Sequence, residues 1–189
     1  MPSAAQSHLL QQILDFLPAE SHPRSPSSYP QFAPHITIVS HIPLSVNIAT
    51  IMHCIPESQT SFPVMFKSIE MSNVYFHSVY IDLHTSPKLS APHQHIQSAV
   101  KNLEGAEPGS PSFPHMSIYY IDNLDKYANT HFSSDHAIQN QDNVALVCSC
   151  ADTHPAATLT GFNAKAIWIV KLEGLVKKWE VLKKVTLKS

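Results

Sequence analysis

The sequence predicts an α+β fold, and three observations carry that reading. Segments with helical spacing stand singly between β-rich runs; two of those runs, 63–72 and 74–84, are separated only by residues around Asn73, as in a hairpin; and 15 prolines in 189 residues keep the elements short. Strands joined by hairpins and parted by a few helices indicate α+β architecture rather than a parallel wound sheet.

Taken in order, residues 7–17 place Leu9, Leu10, Ile13, Leu14 and Leu17 at helical spacing, with Ser7 as the expected N-cap. The four prolines and several serines of 18–31 predict a surface loop. The run 32–42, FAPHITIVSHI, is apolar and β-branched and reads as a strand, followed by a short helix over 45–55. After the hairpin, 88–105 carries Ile96, Val100 and Leu103 on one face and meets Gly105, a helix stop. A strand over 113–122 resembles the first. The reading continues with a helix over 133–147, a loop at CADTHPAAT, and strands over 163–174 and 179–187.

Composition narrows the function. Apolar residues make up 43%, enough for a core, and the length suits one domain over 1–189 or two small lobes sharing a site. Twelve Lys and Arg against 14 Asp and Glu give a net charge of -2, which argues against gripping long nucleic acid by phosphate neutralisation. No run reaches the roughly 20 apolar residues of a membrane span, and the first residues lack the basic start of a secretory signal. A soluble, cytoplasmic monomer is expected. Cys54, Cys148 and Cys150 are an odd number without CxxC zinc spacing, so reduced structural thiols are expected.

Among the 13 histidines, four precede a Ser or Thr by two: His35, His84, His115 and His131. Chance alone supplies about two such matches, so the spacing decides nothing. Context does. Only His35 and His115 lie in apolar runs, in near-duplicate pentapeptides, PHITI at 34–38 and PHMSI at 114–118, each led by an aromatic, Phe32 or Phe113. In a strand, residues i and i+2 share a face, so His35 with Thr37, and His115 with Ser117, each project an imidazole and a hydroxyl together.

That set suits the opening of a cyclic phosphodiester. One histidine activates water and the other protonates the departing ribose oxygen, since an imidazole of pKa about 6.5 serves either role near neutrality. The Thr37 and Ser117 hydroxyls would donate to the non-bridging oxygens. No metal or other cofactor is called for. A zinc site from His93 and His95 with His84 nearby is disfavoured, because a spacing of two on a helix sends them to different faces. Tyr75, Phe76 and Tyr80 suit base stacking or, more commonly, a core, and Lys67, Lys165 and Lys171 suit phosphate contact or, more commonly, a solvated surface.

The paired H-x-T-x and H-x-S-x motifs, 80 residues apart, resemble the signature of the 2H phosphoesterases, and their surroundings resemble the fungal 2',3'-cyclic-nucleotide 3'-phosphodiesterase branch. The likeness runs from about 32 to 187 and takes in the FHSVYIDL, AIWIVKLEG and Trp179 segments. It implies a bilobal α+β fold with pseudo-twofold symmetry around a central cleft, with His35 and His115 catalytic and Thr37 and Ser117 on the phosphate. It also implies hydrolysis of 2',3'-cyclic nucleotides to 2'-phosphates and of ADP-ribose 1'',2''-cyclic phosphate to the 1''-phosphate, by-products of tRNA splicing. A phosphate-contacting Tyr of some relatives is matched by Tyr120, which strand parity puts opposite His115, so a bend is required there. Such relatives open with a short apolar strand, whereas this chain goes from MPSAAQ directly into helix-like sequence. Two other functions fit the same motifs: a non-catalytic nucleotide or RNA-end binding module, and a phosphodiesterase of 2'-5' linked oligonucleotides.

Overall fold

A computed structural model describes residues 1–15, 23–109, 113–126, 137–140, 143–148 and 157–189. Helix α1 (Ala4–Leu14) starts at Ser3 rather than Ser7: the Ser3 hydroxyl oxygen accepts from the Gln6 backbone N–H, so the helix begins four residues before the predicted cap. Its apolar stripe buries Leu10, Ile13 and Leu14. Helix α2 (Ile48–His53) is capped by Asn47, and α3 (Pro87–Lys101) by Ser86, whose side chain accepts from Leu89 N–H. Pro87 in the first turn costs α3 no hydrogen bond, because that N–H has no helical partner in any case. Helix α3 ends at Asn102, ahead of the predicted stop, and Gly105 adopts the left-handed backbone (φ 71°) three residues further on.

The central sheet has the order β3-β2-β1-β7. Strands β1 (Phe62–Met71), β2 (Val79–Leu83), β3 (His115–Tyr119) and β7 (Gly161–Ala164) pair antiparallel throughout. The predicted hairpin is therefore present, but β2 starts at Val79 because Tyr75–His77 form a 3-10 turn. The alternation is strict where it matters. Phe62, Val64, Phe66, Val79, Ile81, Leu83 and Met116 are buried with Leu10 and Ile13 of α1 and Leu89 of α3 in one cluster. Tyr80, Asp82, His115 and Ser117 consequently belong to the face turned away from those helices.

Three readings of the sequence are corrected. The 133–147 run is not a helix: within it β4 (Ala137–Asn140) and β5 (Asn143–Cys148) pair antiparallel, β5 burying Val144 and Leu146 in the main core, and β6 (Ala157–Leu159) adds to its other edge. Residues 133–136 and the start of the predicted 150–158 loop lie outside the described residues, but 157–159 is strand. The 163–174 strand is two, β7 and β8 (Ala166–Lys171), the latter pairing only with β9 (Glu180–Thr186) among the described residues.

The third correction concerns the first motif. Residues 32–39 belong to no strand, and a single bridge joins Ser40 to Gly109. Pro34 has no N–H to give a ladder, while the carbonyls of Phe32 and Ala33 accept from the side chains of Gln11 and His35. β-propensity needs an edge to pair with, and here side chains take the backbone first. The segment is held instead by packing: Ile36 joins the main core, and Ile38, Val39 and Ile42 pack on Cys54, Ile96 and Val100 of a second cluster. Met1 brackets the β7–β8 junction, its carbonyl accepting from Lys165 N–H and its amine donating to the Ala166 carbonyl.

Gly161 marks the tightest backbone approach, since a Cβ there would lie 2.1 Å from the Val64 carbonyl oxygen. Substituting alanine must push β7 off β1, and Gly161→Ala is expected to cost about 2 kcal/mol, read from the midpoint of urea unfolding.

Candidate active site

The second motif sits on the exposed-face register of β3. His115 pairs with Asp82 and Ser117 with Tyr80, after which the register shifts, so that Val79 pairs with Tyr119 and Ile118 is the extra residue of a β-bulge. A bulge reverses parity beyond it. Met116 and Tyr119 then share the core face, and Tyr120 returns to the face of Ser117. The bend that the sequence required of Tyr120 is this bulge. Burial pushes the Tyr120 hydroxyl up to about 12, so it stays protonated across the neutral range and remains a donor.

The 3-10 turn Tyr75–His77 roofs this strand. The Ser117 hydroxyl donates to the Phe76 carbonyl at 2.9 Å, and the Ser78 hydroxyl contacts the carbonyls of Val74, Tyr75 and Ile121. Ser117 therefore spends its proton on the turn, so donation to an anion requires its hydroxyl to rotate.

The first motif approaches from the other side. Phe32 stacks on Tyr120 at 4.3 Å and meets the His35 ring edge-on at 5.7 Å, and Tyr120 in turn touches Phe76 and Trp179. His35 Nδ1 lies 2.7 Å from the Ala33 carbonyl oxygen; a carbonyl only accepts, so Nδ1 carries the proton and Nε2 is left for chemistry. Burial holds the His35 pKa below its usual range, and proximity to His115 lowers it further. Thr37, two residues along, is half-buried, and no hydrogen bond joins it to the other four predicted residues among the described ones. Thus His115, Ser117 and Tyr120 share one face, and His35 adjoins it through the Phe32 ring.

The remaining histidines of the first survey have other surroundings. His84 Nε2 pairs with Asn143 Oδ1 at 3.1 Å, His93 stacks on Phe113 at 3.8 Å, and His131 lies outside the described residues. Lys67 is ion-paired with Asp82 and Lys171 with Glu173, both at 2.7 Å, while the Lys165 ammonium lies 3.4 Å from the Ser61 hydroxyl.

Two residues escaped the sequence reading, His77 and Asp82, and Tyr80, read there as a stacking or core aromatic, joins them. The His77 ring stacks on Tyr80 at 3.6 Å and abuts His115 at 4.0 Å. Alternation along FHSVYIDL put Tyr80 and Asp82 on one face, but only the register of β2 against β3 tells that His115 stands opposite.

The α+β sheet thus carries the His-x-Ser strand, and the His-x-Thr segment reaches the same neighbourhood through Phe32 against Tyr120. The family model of cyclic phosphodiesterase-like proteins matches residues 2–187, and the chain belongs to that family. It is by that membership a phosphodiesterase of the hydrolase class, with cyclic phosphodiester opening as the activity to which the family points. No curated protein matches the chain. Among the described residues no helix is long and apolar enough to cross a membrane.

Proposed function

We propose that the chain, acting as one catalytic domain over 1–189, hydrolyses 2',3'-cyclic nucleotides to nucleoside 2'-phosphates and ADP-ribose 1'',2''-cyclic phosphate to ADP-ribose 1''-phosphate. The observation that supports this most is that the Phe32 ring touches both His35 of the first motif and Tyr120, which lies on the face of β3 that carries His115. One imidazole takes a proton from water as its oxygen bonds to phosphorus; the other gives a proton to the 3'-oxygen as the P–O3' bond breaks. Thr37, a rotated Ser117 and Tyr120 would hold the non-bridging oxygens as their charge grows. Two histidines supply both proton transfers, so the reaction needs no metal.

Phe76, 52% exposed, and the half-buried Trp179 lie 5.9 Å apart beside Tyr120 and form an apolar surface wide enough for a nucleobase. Tyr75, by contrast, is anchored by donating its hydroxyl to the Ser27 carbonyl, and Tyr80 is occupied by His77.

The test is turnover of 2',3'-cyclic AMP, ADP-ribose 1'',2''-cyclic phosphate and a 2'-5' linked oligoadenylate by the same preparation, with and without EDTA. Release of the 2'-phosphate, unaffected by chelator, is expected. Cleavage of the oligonucleotide alone would transfer the activity to that substrate class, and binding of the cyclic nucleotide without turnover would make the chain a binding module.

A further inference from the structure

His77 is a buried imidazole for which neither the fold nor the proposed reaction has a use. It is 9% exposed, sits at the end of the 3-10 turn, and its Nε2 is buried without a hydrogen-bond partner among the described residues. Burying a polar nitrogen without compensation is unfavourable, so a merely space-filling role would be better served by phenylalanine.

Its geometry is specific. The His77 and Tyr80 rings are parallel within 10° at 3.6 Å, which covers one face of the imidazole. His115 is 4.0 Å from His77 and 5.7 Å from Tyr80, inclined 73° to the first and 78° to the second. Those separations make nearly a right angle at His77, so His115 stands off the edge of His77 and turns its own face toward it. The turn that carries His77 is fixed from both ends, by the Ser117 hydroxyl on the Phe76 carbonyl and by the Ser72 hydroxyl on the His77 carbonyl, 2.7 Å away.

We propose that His77 is a positioning residue for His115, fixing the plane of that imidazole and opposing its protonation until the anionic substrate arrives. The inference rests on the proposed function for the meaning of His115, but the contact itself does not. An edge rich in positive C–H and N–H density favours a neutral aromatic face and disfavours a cationic one. Two imidazoles in contact cannot both be charged cheaply, and the buried one yields: desolvation, with His115 beside it, lowers the His77 pKa to about 4. His77 therefore stays neutral across the working range and acts by contact rather than by exchanging protons.

The other charged and titratable groups around the pair do not replace this effect. From β2, Tyr80 stacks on His77, and Asp82 stands opposite His115 and favours its protonation, but Lys67 of β1 neutralises Asp82 through their ion pair. Glu70 of β1 pairs with Tyr80 one position further from His115. From the first motif His35 adds like charge only if it is itself protonated, which burial opposes. Tyr120 and Tyr75 are neutral at these pH values, both pushed upward by burial.

The test pairs His77→Phe with His77→Ala and reads the His115 titration directly by NMR of the ring protons, beside the pH dependence of 2',3'-cyclic AMP hydrolysis. His77→Ala, which removes the ring edge, is expected to raise the His115 pKa by about one unit, moving whichever limb of the kcat/KM profile His115 controls to higher pH, and His77→Phe, which keeps a C–H edge there, by a smaller step in the same direction. Only His77→Ala, which leaves the ring unsupported, should also lower kcat, by about tenfold with KM little changed. An unmoved His115 titration in both variants overturns the proposal, provided circular dichroism shows them folded. If the intact protein hydrolyses no cyclic phosphate, the functional reading fails, yet the NMR titration still decides whether His77 governs His115.

Discussion

His35→Ala is expected to lower kcat/KM for 2',3'-cyclic AMP by about 10³-fold, and His115→Ala by a similar factor, while both proteins keep their unfolding midpoints within a few degrees. The size follows from the role: a group that transfers a proton in the transition state contributes about 10²–10⁴. Its Nδ1–H is engaged by the Ala33 carbonyl, which fixes the ring and leaves Nε2 as the reacting atom. Because burial favours the neutral ring, the limb of the pH profile governed by His35 should lie below the unperturbed value of about 6.5. The double variant should fall little further than either single one, because acid and base act on one event. Retention of activity within a few-fold in either single variant would remove the two-histidine mechanism.

Asp125→Ala is expected to be the most damaging single change to stability, at about 4 kcal/mol, seen as a drop of roughly 10 °C in Tm. Asp125 is 1% exposed and its carboxylate accepts from the backbone N–H groups of Arg24 and Ser25 and from the Ser28 hydroxyl at 2.8, 3.1 and 2.6 Å. Alanine strands all three donors, those of Ser25 and Ser28 in buried positions. Desolvation pulls the Asp125 pKa up, but these hydrogen bonds outweigh it and hold the carboxyl below its usual range. A carboxyl with a depressed folded pKa contributes stability that is complete above the unfolded value of about 3.9 and disappears as pH falls through the folded one. The wild type should thus lose this stability only in strong acid, and Asp125→Ala should flatten that part of the curve. The same network seats 23–29 on the site, where Ser27 accepts the Tyr75 hydroxyl proton and Tyr29 N–H donates to the Tyr120 carbonyl. A raised KM for cyclic nucleotide in Asp125→Ala, measured below its melting range, is the accompanying expectation.

How far the sequence could be read differs element by element. Helix α3 was legible because Ile96 and Val100 stand at helical spacing and both are buried, although Leu103, read on the same face, lies beyond its end. The pairing of β1 with β2 was legible from alternation, but the 3-10 turn between them was not, since YFH carries the same apolar signal as the strand after it. The pairing of β4 with β5 was misread because alternation over four to six residues is too short to identify a strand by period. The first motif shows the converse: its strand-like composition is real, but Pro34 and competing side chains leave it without a ladder.

What the sequence alone determined is the pair of duplicated motifs, and with it the family and the kind of chemistry, because those depend on residue identity and local spacing. The tertiary structure decided which side chains surround them. A bulge at Ile118 carries Tyr120 onto the face of His115 and Ser117, cross-strand register places Asp82 opposite His115, and a folded-back turn sets His77 against it. Register and chain reversal are fixed by packing between residues far apart in the chain, and no local pattern encodes them.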